Sequence, residues 1–128
     1  TLGTRITVKV KDVNLDGKLN DTETARAIED ELPLKAKPSF WGDEIYFEIP
    51  VDLEENEHPE EELDIGDLAY WPDGNAFCIF YGPTPSSKGS EPRPASPVTI
   101  VGKLSGDATA LRELDRSFGG KVKIDRAN

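Results

Sequence analysis

The chain has 128 residues, enough to bury one core and too few for two ordinary domains, so a single domain over residues 1–128 is expected. Fifteen basic against 25 acidic residues give a formal charge of −10 at pH 7, which excludes nucleic acid and anionic membrane as main partners, because both need a cationic face. No apolar run is long enough to span a bilayer, and one cysteine, Cys78, allows no intramolecular disulfide. A cytoplasmic location is the expectation, with the opening at Thr1 compatible with a trimmed upstream segment.

Residues 5–11 alternate, with Ile6, Val8 and Val10 on one side and Thr7, Lys9 and Lys11 on the other, the pattern of a half-buried strand. Residues 14–17 read as a turn and residues 18–20 as the start of a short return strand. Asn20, Asp21, Thr22 and Glu23 then read as a helix start, with Asn20 as N-cap and Glu23 closing a capping box. Ala25, Ile28 and Leu32 fall on one face of that helix, and Pro33 stops it. Residues 34–40 are extended, residues 41–44 turn, and residues 45–49 form a further strand.

Residues 50–64 hold six glutamates together with Asn56 and His58, and read as a solvated excursion. The stretch 66–85 is the centre of the chain. It carries half of all the aromatic residues (Tyr70, Trp71, Phe77, Phe80 and Tyr81) in two apolar runs separated by Pro72, Asp73, Gly74 and Asn75. That separator is turn chemistry, so a β-hairpin is expected, its second strand apolar on both faces as in a covered sheet. Residues 82–97 form a long loop with five prolines. Residues 98–104 form a strand, Gly106 and Asp107 introduce a second helix with a stripe of Ala108, Leu111 and Leu114, and Gly119 and Gly120 end it. Residues 121–125 close the chain as a strand. About eight strands and two helices suggest a closed antiparallel barrel.

Three segments carry a resemblance: Leu19 to Thr22 with Thr24, Ala25 and Arg26 ahead of Leu32 and Pro33; Trp41, Gly42, Asp43, Glu44, Ile45, Tyr46 and Phe47; and Gly66 to Pro72 running on to residues 80–85. In this order they resemble the small prokaryotic cyclophilin-like family of unassigned function. The resemblance implies a mainly β fold, a closed eight-stranded antiparallel β-barrel with two capping α-helices. It does not carry prolyl isomerase activity with it. True cyclophilins use an arginine on an early strand to polarise the peptide group, and the strand from Glu44 to Ile49 has none; Arg93 could replace it only by folding over from the proline-rich loop.

Three constellations bear on function. Asp12, Asn14 and Asp16, with Gly17 and Glu23, match the ligand spacing of a calcium loop of the EF-hand type, although the residues before it are strand-patterned and no second hand exists. Calcium is the only cofactor the sequence suggests. Trp41, Glu44, Tyr46, Tyr70, Trp71 and Tyr81 are expected to line an aromatic groove with one carboxylate, the alternative being that these rings simply fill the core. Thr84 and Arg93 border that groove from the loop of residues 84–97, which acts as a flap or as an ordinary surface loop. A Glu44 carboxyl in an apolar pocket would titrate high. Ser96 and His58 make no triad, and buried Cys78 reads as structural. The expected function is binding of a small molecule or extended peptide in the groove; an atypical isomerase and a calcium-stabilised module are the alternatives.

Overall fold

A computed structural model describes residues 3–53, 57–115, 117 and 120–127. Glu54, Glu55 and Asn56 of the acidic excursion, and Gly119 of the second helix stop, lie outside the described residues. Nine strands form one sheet among the described residues: β1 (Arg5–Val10), β2 (Val13–Leu19), β3 (Leu34–Ala36), β4 (Ser39–Phe40), β5 (Glu44–Glu48), β6 (Asp67–Trp71), β7 (Ala76–Phe80), β8 (Thr99–Leu104) and β9 (Val122–Arg126). Their spatial order is β3-β9-β1-β2-β8-β6-β7-β5-β4, and every neighbouring pair is antiparallel. The sheet curls into an open half-barrel. No helix among the described residues is long and apolar enough to cross a membrane.

The closed eight-stranded barrel is therefore corrected, and residues 34–40 explain why. Instead of one extended strand they form two, divided by Lys37 and Pro38, with β3 laddered to β9 at one sheet edge and β4 to β5 at the other. Three residue steps separate Ala36 from Ser39, so the edges lie within about 11 Å of each other at that point. They are joined by the chain and not by a ladder. Pro38 has no N–H to donate, and a two-residue strand has few groups left to pair.

The second α-helix is also corrected. Residues Ala108–Glu113 form a 3₁₀ segment, capped by the Asp107 carboxylate, which accepts from the Thr109 N–H at 3.1 Å. The buried residues Ala108 and Leu111 are three apart, and a three-residue turn stacks such a pair on one side. The one α-helix among the described residues, α1 (Glu23–Asp30), buries Thr24, Ala25 and Ile28. Its N-cap is Thr22, whose hydroxyl accepts from Ala25 N–H at 3.0 Å, and not Asn20. Asn20 stands behind the cap: its carbonyl oxygen accepts from the Thr22 hydroxyl at 2.7 Å while its amide donates to the Ile100 carbonyl of β8 at 2.8 Å. Thr22→Ala is expected to cost about 1 kcal/mol, read as a lower urea midpoint with an unchanged slope.

Alternation assigns the two faces. Ile6, Val8, Leu15, Ile45, Phe47, Leu68, Tyr70, Phe77, Ile79, Val101 and Ile124 share the inner core with Ile28 of α1. On the outer face Ala69, Ala76, Cys78 and Phe80 pack with Leu63 and Val98, which lie in the segments flanking the hairpin. Strand β7 is buried along its whole length, as its uninterrupted apolar sequence requires.

Candidate functional site

The outer face of β5, β6 and β7 carries the site. In the antiparallel register Glu44 lies opposite Phe80, Tyr46 opposite Cys78, and Trp71 opposite Ala76, all on the outside because their neighbours Ile45, Phe77 and Tyr70 point into the core. Trp41 is delivered by the turn between β4 and β5, which exchanges backbone hydrogen bonds with Glu44: Trp41 N–H to Glu44 O at 3.0 Å and Glu44 N–H to Trp41 O at 3.2 Å. Gly42 in that turn has φ +59°, and a Cβ there would sit 2.8 Å from the Thr84 Cα, so the turn needs glycine both for its backbone and for the loop pressed against it. Asp43 N–H donates to Pro83 O at 2.9 Å and fastens turn to loop.

Trp41, Glu44, Tyr46 and Trp71, with Pro94, Ala95 and Val98 from the covering segment, line a cavity of about 140 Å³. Tyr46 and Trp71 meet edge to face, with ring centroids 6.4 Å apart at 81°. The Trp71 Nε1–H donates to Ser96 Oγ at 2.6 Å, and the Ser96 hydroxyl donates to Asp73 Oδ2 at 2.9 Å. This chain of bonds ties the covering loop to the turn between β6 and β7. Ser96→Ala leaves the indole N–H without its partner; a loss of about 1 kcal/mol in stability and a shifted tryptophan emission are expected, measured by urea unfolding followed by fluorescence.

Glu44 is the one carboxylic acid in the lining among the described residues and is only 6 % exposed. Burial in this apolar setting pushes its carboxyl up to about 7, against which the hydrogen bond from the Cys78 thiol works to hold it down. The Cys78 thiol is itself pushed up, first by burial and then by the neighbouring Glu44 charge, so it is not a nucleophile in waiting. A proton shared near neutrality in an aromatic cavity can be given up to a partner that brings positive charge.

The other expected groove residues are placed elsewhere. Tyr70 and Tyr81 belong to the inner core. The Tyr70 hydroxyl donates to Val51 O at 2.5 Å and accepts from Asn75 Nδ2 at 3.1 Å. Thr84 is buried within its loop, its hydroxyl donating to Arg93 O and its N–H to Ser87 Oγ at 2.8 Å. Arg93 pairs with Glu91 at 3.3 Å and Glu62 at 3.8 Å and does not line the cavity. The Glu91 carboxylate also accepts from the N–H groups of Lys88 and Gly89, and the first of these bonds leads in holding it down at about 2. The loop is thus organised by its own hydrogen bonds. Pro94 and Ala95, not the charged Arg93, supply its contact with the cavity, because apolar residues carry no charge signal that would single them out in the sequence.

The residues of the calcium-like spacing are strung along exposed backbone. The turn expected at residues 14–17 falls instead at Lys11 and Asp12, and β2 already begins at Val13: Asp12 sits in that two-residue turn, Asn14 and Asp16 lie on the solvent side of β2, and Glu23 opens α1. Gly17 makes no sharp turn; it lies opposite Leu104, where a Cβ would come within 3.0 Å of the Lys103 carbonyl oxygen. No group of three or more His, Cys, Asp or Glu side chains suited to a metal forms among the described residues. His58 is exposed, and the Ser96 hydroxyl is engaged with Trp71 and Asp73.

Fold and cavity define a small antiparallel half-barrel domain with a concave site on the outside of its sheet. The chain belongs to the family described as Cyclophilin-like, which matches residues 4–124. Among solved structures it is similar to the hypothetical protein AF2241 from Archaeoglobus fulgidus, known from its solution structure, with 34% identity, a TM-score of 0.80, and coverage of 98% of this chain and 96% of that one. No protein with a curated description matches.

Proposed function

We propose that this protein is a binding module that takes a small organic group, free or carried on an extended peptide, into the cavity between β5, β6 and the covering loop. The observation that carries the reading is the convergence of Trp41, Glu44, Tyr46 and Trp71, from three separate elements, on one apolar cavity. A cavity of about 140 Å³ lined by such side chains accommodates a ring or branched alkyl group of benzene size. The two tryptophans and Tyr46 offer large, stiff contact area, and Glu44 offers a single polar anchor, which is the usual composition of a small-molecule site.

Both tryptophans of the chain line the cavity, so intrinsic fluorescence reports directly on its occupancy. Titration with a panel of aromatic acids, amines, alcohols and proline-containing peptides is expected to give a saturable change for at least one class, weakened tenfold or more by Trp71→Ala. A flat response across the panel, with no ligand-induced rise in unfolding temperature, would sink the reading. The cyclophilin route to prolyl isomerisation polarises the peptide group with a cation. The lining contains neither lysine nor arginine among the described residues, so the same peptides are expected to isomerise no faster with the protein than in buffer.

A further inference from the structure

We infer that the ligand of this cavity carries an alkylated ammonium group, seated among Trp41, Tyr46 and Trp71 with the Glu44 carboxylate as its counter-ion; the inference rests on the binding reading above. An ordinary apolar ligand would have no use for a carboxylate that is 6 % exposed, and burying that group is costly. A cation turns the cost into an ion pair. The aromatic rings add a second attraction, because the face of an indole or phenol ring is negative, and Tyr46 and Trp71 stand at 81° to each other as two adjoining walls. Alkylation selects among cations. A compact metal ion would have to surrender its water to one carboxylate and a largely hydrocarbon wall, whereas a quaternary ammonium is weakly hydrated and brings apolar surface of its own.

The surroundings fit the charge. The titratable groups facing Glu44 are the Cys78 thiol on β7 and the Tyr46 phenol on its own strand, while the covering segment presents Pro94, Ala95 and Val98. Among the described residues no cationic side chain in the lining competes for the carboxylate. The net charge of −10 raises the local concentration of cations around the whole molecule. Because burial holds the Glu44 carboxyl at about 7, a bound cation must displace a proton below that pH and need not above it.

Choline and its uncharged isostere, with carbon in place of the quaternary nitrogen, are titrated into the full chain at pH 6 and pH 8 and followed by tryptophan fluorescence. Choline is expected to bind about tenfold more weakly at pH 6 than at pH 8, with the isostere at least tenfold weaker than choline at pH 8 and indifferent to pH. Glu44→Gln is expected to remove the pH dependence and weaken choline by tenfold or more; the wild-type arms decide the matter alone if that variant folds poorly. A peptide bearing trimethyllysine separates the two sources of the group: tighter binding than choline assigns a lysine side chain, equal or weaker binding a free amine. An isostere that binds as well as choline, choline binding that ignores pH, or no choline response at millimolar concentration overturns the inference. The cavity still binds in the first of these cases, so only the cation assignment fails; the binding reading itself fails only if the whole panel is silent.

Discussion

At pH 8 the Glu44→Gln variant is expected to be more stable than wild type by about 3 kcal/mol, an advantage that vanishes near pH 4. The folded chain holds the Glu44 carboxyl at about 7 against an ordinary value of 4.5, chiefly because burial disfavours its charge. At about 1.36 kcal/mol for each pKa unit, that difference is worth about 3 kcal/mol. The sign follows from which state holds the proton more tightly. Between pH 4.5 and pH 7 the folded chain keeps a proton that the unfolded chain has released, so stability falls as pH rises through this window and stays lowered above it. Glutamine keeps the shape and has nothing to ionise. Thermal unfolding across pH 4 to 8 measures the effect, on the order of 10 °C at the upper end. Identical curves for the two proteins at every pH would mean that the carboxyl is solvated. The same measurement with choline present should narrow the gap, since a bound cation relieves the cost that glutamine removes.

Phe77→Ala is expected to cost about 3–5 kcal/mol, enough to leave a chain of this size marginal. Phe77 is fully buried, stacks on Phe47 with centroids 5.6 Å apart and planes 25° from parallel, and lies opposite both Phe47 and Tyr70 in the two ladders it joins. It is therefore the side chain against which β5 and β6 pack from either side of β7. Removing it opens a void that strands hydrogen-bonded on both edges cannot collapse into. Urea unfolding should show a lowered midpoint with little change in slope. A loss under about 1 kcal/mol would mean that the inner face is loosely filled.

A carboxylate kept at a cost inside an aromatic cavity is what the proposed binding role calls for, stability given up where a ligand is to be held. Three other carboxylates stand in contrast. Glu29 is held low, first by the hydroxyl of Thr4 and then by Arg126, and Glu91 by backbone N–H groups, so both are more comfortable charged. Asp67 is raised by burial, but the Asp64 N–H donates to it at 2.8 Å and Lys103 lies 3.6 Å away. Glu44 has only the Cys78 thiol set against its burial.

Much of this was readable in the residue order. Alternation over residues 5–11 and 121–125 marks strands because side chains two apart share a face, and the all-apolar run in 76–81 marks a strand covered on both sides. The same parity separates Tyr70 from Trp71: neighbours on a strand point to opposite faces, so only one of them could line an outer groove. Tyr81 continues the inward series of Phe77 and Ile79 and falls in the core for that reason. What local pattern does not contain is the partner of each strand. Whether residues 34–40 make one strand or two depends on which edges lie beside them, and that is set by β5 and β9, neighbours from distant parts of the chain. The short segment after Asp107 likewise takes its 3₁₀ form from the pair of buried side chains it must seat. Sequence alone thus determined the strands over residues 5–11, 45–49, 98–104 and 121–125 and the aromatic hairpin, and it offered Trp41, Glu44, Tyr46 and Trp71 as candidates among a larger set. Tertiary structure alone decided that the sheet stays open, that Pro94 and Ala95 cover the cavity in place of Arg93, and that Glu44 is buried enough for its charge to matter, because burial and pairing are properties of contacts between segments that no local pattern encodes.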